Sequence, residues 1–402
     1  MTIKTFFQKY WINITLTFII IASLLLRLWH LGRIGDQIFD EVYFVKFAQN
    51  YLTGTSFFDI HPPLGKLIIA FGLKLFGDTS FTWRLMPAIF GTLLIILGYF
   101  TGKELSSKRV GLFTASIMGL DGMLLVYSRT GLIDIFLVFF ILFAFYIFLK
   151  YINTQKLIYL ILAGIAVGLA ASVKYIGALI LIVFLVMIFT RHLSLRKNFW
   201  KYFIFLILVP LGIYLAFFLF NFGTNNLFAQ VWDWQMQSLN YNIGLKDTHP
   251  YGSKWWSWFL LLRPIWLYFK ETNGQITGVD GIGNPLSWWS SIIVVPLLIW
   301  GVSQKYKNQL IVLAGFLVFL LFWAPFNRVL FFYHAMPSFV FLTLGTSLWL
   351  ERLVLKYPYG KYYVAIYFCI LFLLFVYFLP IWIGMPFGSE QFYQRMWLKG
   401  WI

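Results

Sequence analysis

The stretch NITLTFIIIASLLLRLWHLGRIGDQIFDEVYF, residues 13–44, sets the class of this chain. Residues 13–31 carry one strong charge, Arg27, in an otherwise apolar run. A helix rising 1.5 Å per residue needs about 20 such residues to cross a hydrocarbon core of about 30 Å. Soon after the run come two adjacent carboxylates, Asp40 and Glu41, in a chain that has only 14. HPPLGK follows at 61–66. An acidic pair at a membrane edge, with His, two Pro and Lys close behind, asks for a purpose.

Composition supports the membrane reading. Only 11% of the 402 residues are charged and 61% are hydrophobic, whereas a soluble domain carries about a quarter charged residues. The chain cannot cover itself in water, so we read a polytopic, all-α membrane protein. Further apolar runs fall at 84–101, 110–127, 131–149, 157–173, 176–190, 202–221, 287–302, 309–325, 329–349 and 362–383. With the first, they make eleven expected spans. Helices are expected because backbone groups in lipid must be satisfied within the segment. The first run lacks a small-residue cleavage site after it and reads as an uncleaved anchor.

A net charge of +17 suits nucleic acid, but the basic residues sit in gaps between apolar runs, so nucleic acid is rejected. With the N-terminus in the cytoplasm, the inner loops collect Lys103, Lys108, Arg109, Arg191 and Arg196 against only Glu104 and Glu351. This is the positive-inside pattern. Two long loops, 32–83 and 222–286, then face outward, and eleven spans leave the C-terminus outside. The chain divides into 1–221, with the first outer loop, and 222–402, with the second loop and four further spans. The lone Cys369 excludes an internal disulfide.

Residues 39–52 (FDEVYFVKFAQNYL) space their apolar positions as a helix lying in the interface. Asp40 at its start suits an N-cap. The segment 57–76 reads as a rigid Pro turn into a second interfacial helix. Ionisable groups recur where lipid makes them costly. Asp121 lies within the third run; Arg27, Arg84, Arg129, Asp134, Lys174, Arg328 and His334 lie near outer ends. Internal pairs, such as Arg129 with Asp134, are the structural alternative to a site.

The order of FDE, HPPLGK, WRLMPAIFG, LDGMLLVYSRTGLID, SVKYIG, WFLLLRPIWLYF and NRVLFFYHAMP resembles the protein O-mannosyltransferase family over nearly the whole chain. The resemblance implies a GT-C glycosyltransferase fold with eleven membrane helices and interfacial helices in the first outer loop. It implies a polyprenyl-phosphate mannose donor and a secreted or membrane protein acceptor. Residues 222–286 are too few for the MIR domain of eukaryotic members, so the chain is similar to the short bacterial ones. By the same resemblance Asp40 is the base toward a Ser or Thr hydroxyl, and Glu41 orients it or binds sugar. Asp59, His61 and Lys66 shape the sugar and acceptor pocket. Arg84, Asp121, Arg129, Lys174, Arg263, Arg328 and His334 supply the phosphate site and carboxylate network. Arg27 and Asp134 are assigned as supports.

These residue types fit that chemistry. Desolvation raises a carboxylate's pKa toward that of a useful base, and Arg and Lys hold phosphate. Five scattered histidines offer no metal-ligand spacing, so no cofactor is expected, a carboxylate-held divalent cation remaining the alternative. No Gly-rich loop points to a nucleotide. The aromatic stretches 231–237, 254–269 and 286–289 read as a belt at the lipid surface, or as a lid with Arg263 reaching the phosphate. The tail 395–401 reads as another interfacial anchor. A lipid or glycolipid acceptor and a transporter stay open as rivals.

Overall fold

The computed structural model describes the backbone from Ile3 to Ile402 and side chains from Tyr10 onward. Helices dominate it. In chain order they are α1 (Ile3–Leu28), α2 (Glu41–Thr53), α3 (Leu64–Phe76), α4 (Thr82–Leu105), α5 (Lys108–Gly119) and α6 (Gly122–Tyr127). Then come α7 (Asp134–Thr154), α8 (Leu157–Val173), α9 (Ile180–Thr190), α10 (Phe199–Phe203), α11 (Val209–Phe222) and α12 (Leu227–Gly244). The remainder are α13 (Pro285–Trp289), α14 (Ser291–Ser303), α15 (Lys307–Leu321), α16 (Met336–Lys356), α17 (Gly360–Ile383) and α18 (Ser389–Tyr393).

Among the described residues, seven helices are long and apolar enough to cross a membrane, and three apolar helices are shorter: Leu157–Val173, Tyr175–Thr190 and Lys307–Leu321. The run 110–127, read as one span, is broken instead. Helix α5 stops at Gly119, and Asp121 turns extended (φ −99°, ψ 131°) so that its carboxylate accepts from the Leu124 N–H and starts α6. A short acidic side chain that competes for backbone N–H groups interrupts a helix even among apolar neighbours. One turn of α-helix is likewise replaced by a π-helical turn at Ile204–Leu208, between α10 and α11. Opposite it, Gly164 lies so close to the Phe205 carbonyl that a Cβ there would collide. Small residues permit this kind of close backbone approach between membrane helices.

The first loop folds as its pattern predicts, into α2 and α3. Gly54, at φ 70°, ends α2 in the left-handed conformation, and the Pro62–Pro63 pair precedes α3. One detail differs: Asp40 stands at the N-cap of α2, but its side chain makes no capping hydrogen bond.

The second long loop holds more than an aromatic belt. It contains α12, a 3₁₀ turn at Trp255–Leu260, and a hairpin of β1 (Trp266–Thr272) and β2 (Gln275–Asp280). Asn273 and Gly274 both take positive φ, 51° and 73°, as a tight hairpin turn needs. Near the chain's end β3 (Pro386–Gly388) adds antiparallel to β2, so the helical fold carries one small three-stranded sheet. The tail is not a free interfacial anchor. Trp401 is fully buried, its indole N–H donating to the Leu261 carbonyl while its own carbonyl accepts from Trp266 at 2.8 Å. A buried indole N–H usually finds a hydrogen-bond partner, as it does here.

Candidate active site

A cavity of about 740 Å³ opens between the first loop, the start of α7, the turn after α8, α12 and the segment 322–337. That volume lies within the range of ligand sites. Asp40, Asp59, His61, Lys174, Arg328 and His334 all line it. Asp134 lines it too. Asp134 does not pair with Arg129; Lys174 Nζ approaches its Oδ1 at 2.7 Å. Lys174 also lies over the Tyr333 ring, 5.3 Å from its centre.

Other anticipated site residues lie outside the cavity wall. Glu41 is fully buried and fully occupied. Arg84 grips it with two parallel bonds, Nε to Oε1 at 2.8 Å and Nη2 to Oε2 at 2.7 Å. The Gly131 and Ile38 N–H groups donate to the same carboxylate at 2.6 and 2.9 Å. The remaining Arg84 donors reach the Ile34 and Asp36 carbonyls at 2.7 and 2.9 Å. A bidentate guanidinium–carboxylate pair sets distance and plane at once. Glu41 and Arg84 therefore lock the turn ahead of α2 to the loop ahead of α7, and neither lines the cavity.

Arg129 donates from Nη1 to the carbonyls of Leu26, Arg27 and Trp29 at 2.6–2.9 Å. It closes the C-terminal end of α1, where carbonyls lack helical partners. Arg27 is buried, its Nη1 donating to Ser23 one turn back. Asp121 accepts from the Asn284 N–H at 3.1 Å and the Trp288 indole at 2.9 Å, joining α6 to α13. Arg263 is spent on the carbonyls of Pro250, Gly400 and Ile402 at 2.7–3.0 Å, away from the cavity. Lys66 is buried behind Asp59, donating to its carboxylate and to the His61 carbonyl. Each of these cations meets oxygens of its own protein, and none of them lines the cavity.

Electrostatics separate the groups that remain. Burial pushes the Asp40 carboxyl up to about 6; Lys174 pulls it down, and Asp134 and Asp59 push it further up. Burial and the surrounding cations Lys174, Lys66 and Arg328 hold His61 well below the ordinary imidazole value, so it is neutral. Its ring stacks on Phe44, with centroids 6.0 Å apart. His334 is wedged between Trp258 and Trp323, with ring centres 6.0 and 4.1 Å away. Arg328 enters no ion pair among the described residues, and its guanidinium lies 5.9 Å from the centre of the Trp323 ring. The cavity thus offers an unpaired guanidinium, a Lys shared with Asp134, and a carboxylate whose pKa suits a base near neutral pH.

Sequence reasoning passed over Tyr333, Tyr175 and the α12 residues Gln235, Ser238 and Asn242, all of which line the cavity. The spacing i, i+3, i+7 within VWDWQMQSLNYN was the available signal.

Three family models tile the chain. Two described as dolichyl-phosphate-mannose-protein mannosyltransferase match residues 17–83 and 60–217. One described as the C-terminal four TMM region of protein-O-mannosyltransferase matches residues 227–401. The polyprenol-phosphate-mannose–protein mannosyltransferase of Mycobacterium tuberculosis is 24% identical over 96% of this chain and 90% of its own length. Its counterpart in Corynebacterium glutamicum is 27% identical, over 91% and 88%. The fold matches a chain of the Saccharomyces cerevisiae protein O-mannosyltransferase Pmt1–Pmt2 complex bound to the sugar donor. The TM-score is 0.85 at 18% identity, covering 97% of this chain and 92% of that one. Family models over nearly every described residue, two bacterial relatives matched over about nine-tenths of their length and a shared GT-C fold agree: this chain belongs to the protein O-mannosyltransferase family.

Proposed function

We propose that this membrane glycosyltransferase moves mannose from a polyprenyl-phosphate mannose onto Ser or Thr hydroxyls of secreted or membrane proteins. The observation that carries the reading is Asp40: it leaves its helix uncapped, faces the cavity, and shares that cavity with Lys174 and Arg328. The names of the mycobacterial and corynebacterial relatives support the donor and the protein acceptor.

In this mechanism the Asp40 carboxylate takes the proton of the acceptor hydroxyl as its oxygen attacks the anomeric carbon. The bond from that carbon to the phosphate oxygen breaks, and its electron pair leaves on the polyprenyl phosphate. Arg328 and Lys174 stabilise the charge that gathers there, which contributes most when the charge forms away from bulk water. A single displacement inverts the centre, so a β-linked donor becomes an α-linked product. His61, kept neutral, offers a hydrogen bond without adding charge beside the base. The lipid tail of the donor requires a site at headgroup level. The basic inner loops support an N-terminus in the cytoplasm and a cavity on the outer face of the cell membrane.

The test is transfer of labelled mannose from polyprenyl-phosphate mannose by membranes containing the chain, with Ser/Thr peptide and glycolipid acceptors side by side and with EDTA in a parallel arm. Peptide labelling supports the reading. Labelling of the lipid alone replaces the acceptor, and loss of activity in EDTA adds a divalent cation to the mechanism.

A further inference from the structure

The cavity is not uniform in character. Its charged groups sit on the first loop, α7, the turn after α8 and the segment 328–334. Another stretch of its wall is α12, which presents Gln235, Ser238, Tyr241 and Asn242, all uncharged. Residues 235, 238 and 242 share one helical face. Tyr175, from the turn after α8, joins them.

Several polar atoms in this row are unused. The Ser238 hydroxyl is buried without a hydrogen-bond partner, and so is the Tyr175 hydroxyl, which sits beside Ser238 and Tyr214 without a well-formed bond to either. Gln235 donates its amide N–H to Tyr214 at 2.8 Å, and Asn242 donates its own to the Ser238 carbonyl at 2.7 Å. Those bonds fix both amides in place and leave their carbonyl oxygens as acceptors. Buried polar groups without partners are costly, and two of them, Ser238 and Tyr175, beside two fixed amides on a cavity wall are most simply explained by a ligand that completes them.

We propose that this row is the hexose subsite: Gln235, Ser238, Asn242 and Tyr175 hydrogen-bond the hydroxyls of the donor sugar. The inference rests on the donor assignment made above. A phosphate seeks the cations Lys174 and Arg328, and a prenyl chain seeks no polar partner. A sugar ring needs many neutral donors and acceptors at fixed positions, which is what rigid amides and hydroxyls supply. The Asp59 carboxylate lies within electrostatic reach of both Tyr175 and Asp40, so the row is close to the reacting centre.

The test uses the full-length chain in detergent and compares binding of polyprenyl-phosphate mannose with binding of sugar-free polyprenyl phosphate. The Gln235→Ala/Asn242→Ala double variant should bind the mannosyl lipid about tenfold more weakly or worse, since each lost neutral hydrogen bond weakens binding about two- to tenfold. Its binding of the sugar-free lipid and its KM for acceptor peptide should stay unchanged. Tyr175→Phe, which removes one oxygen and keeps the shape, should show a smaller loss of the same selectivity. Equal weakening of both lipids, a rise in acceptor KM alone, or no change in either variant would overturn the assignment. Failure of the proposed activity would read differently: the unaltered chain would label no peptide, while the comparison of the two lipids would still report on the row.

Discussion

The two walls of the cavity are built on different principles. The charged wall rests on buried, ion-paired backbone turns. Glu41 and Arg84 tie the turn before α2 to the loop before α7, and Lys66 backs Asp59. The neutral wall, α12, rests on a small separate cluster of Phe218, Val231 and Trp234. It is entered through Gly223 and Asn226, both at positive φ. Reacting groups need positions held to a fraction of an ångström. A recognition wall tolerates a lighter anchorage. Damage to the first wall should therefore lower turnover or folding, and damage to the second should lower selectivity.

The largest effect is expected at Asp40. Asp40→Asn keeps the shape and removes the base, so kcat should fall by about 10²–10⁴ while the donor still binds. Since the Asp40 side chain caps nothing, helix stability should not change. A well-folded variant with near wild-type turnover would remove Asp40 from the mechanism.

Next comes the clamp. Arg84→Ala strands the buried Glu41 carboxylate, and breaking such a pair costs about 3–5 kcal/mol. A large drop in thermal stability or yield is expected, with donor KM little altered in whatever protein folds. Arg84→Lys should recover only part of the loss, because a point charge cannot replace the fork. A stable Arg84→Ala enzyme with a raised donor KM would return Arg84 to the phosphate site and blur the distinction between frame and site.

Arg328→Ala should act the other way, raising donor KM without loss of fold. A charge-assisted hydrogen bond is worth about 1.5–3 kcal/mol, hence roughly tenfold or more in KM. Unchanged donor KM would assign the phosphate elsewhere.

The smallest effect is a shift in pH dependence. Asp40 works only when ionised, and burial has raised its pKa to about 6. The kcat/KM should therefore rise with pH through that value and level off above it. Lys174 pulls this pKa down, so Lys174→Met should move the rising limb to higher pH. A limb that stays in place would show that another group controls it.

Much of this was legible in the residues alone. Alternation at helical spacing and a Pro pair were enough to place α2 and α3, because amphipathic pattern and turn chemistry are local. The acidic pair stood out in so apolar a chain, but the role given to Asp40 came from the family resemblance and not from local pattern. The hairpin carried its own signal, Asn-Gly between β-branched and aromatic residues, and the break at Asp121 had only a carboxylate to announce it.

The class of the protein follows from composition, since a chain so apolar cannot cover itself in water. What composition and spacing left open was the destination of each charge. Arg84, Arg129 and Arg263 look like Arg328 in the sequence: each is a cation beside an apolar run. Only the fold decides that the first meets Glu41, that the second and third meet backbone carbonyls, and that the fourth faces the cavity. The same holds for Asp40 and Glu41, adjacent in the chain and opposite in fate. A helix start turns neighbouring side chains in different directions, and whether a group meets a partner or a ligand depends on contacts between segments far apart in sequence.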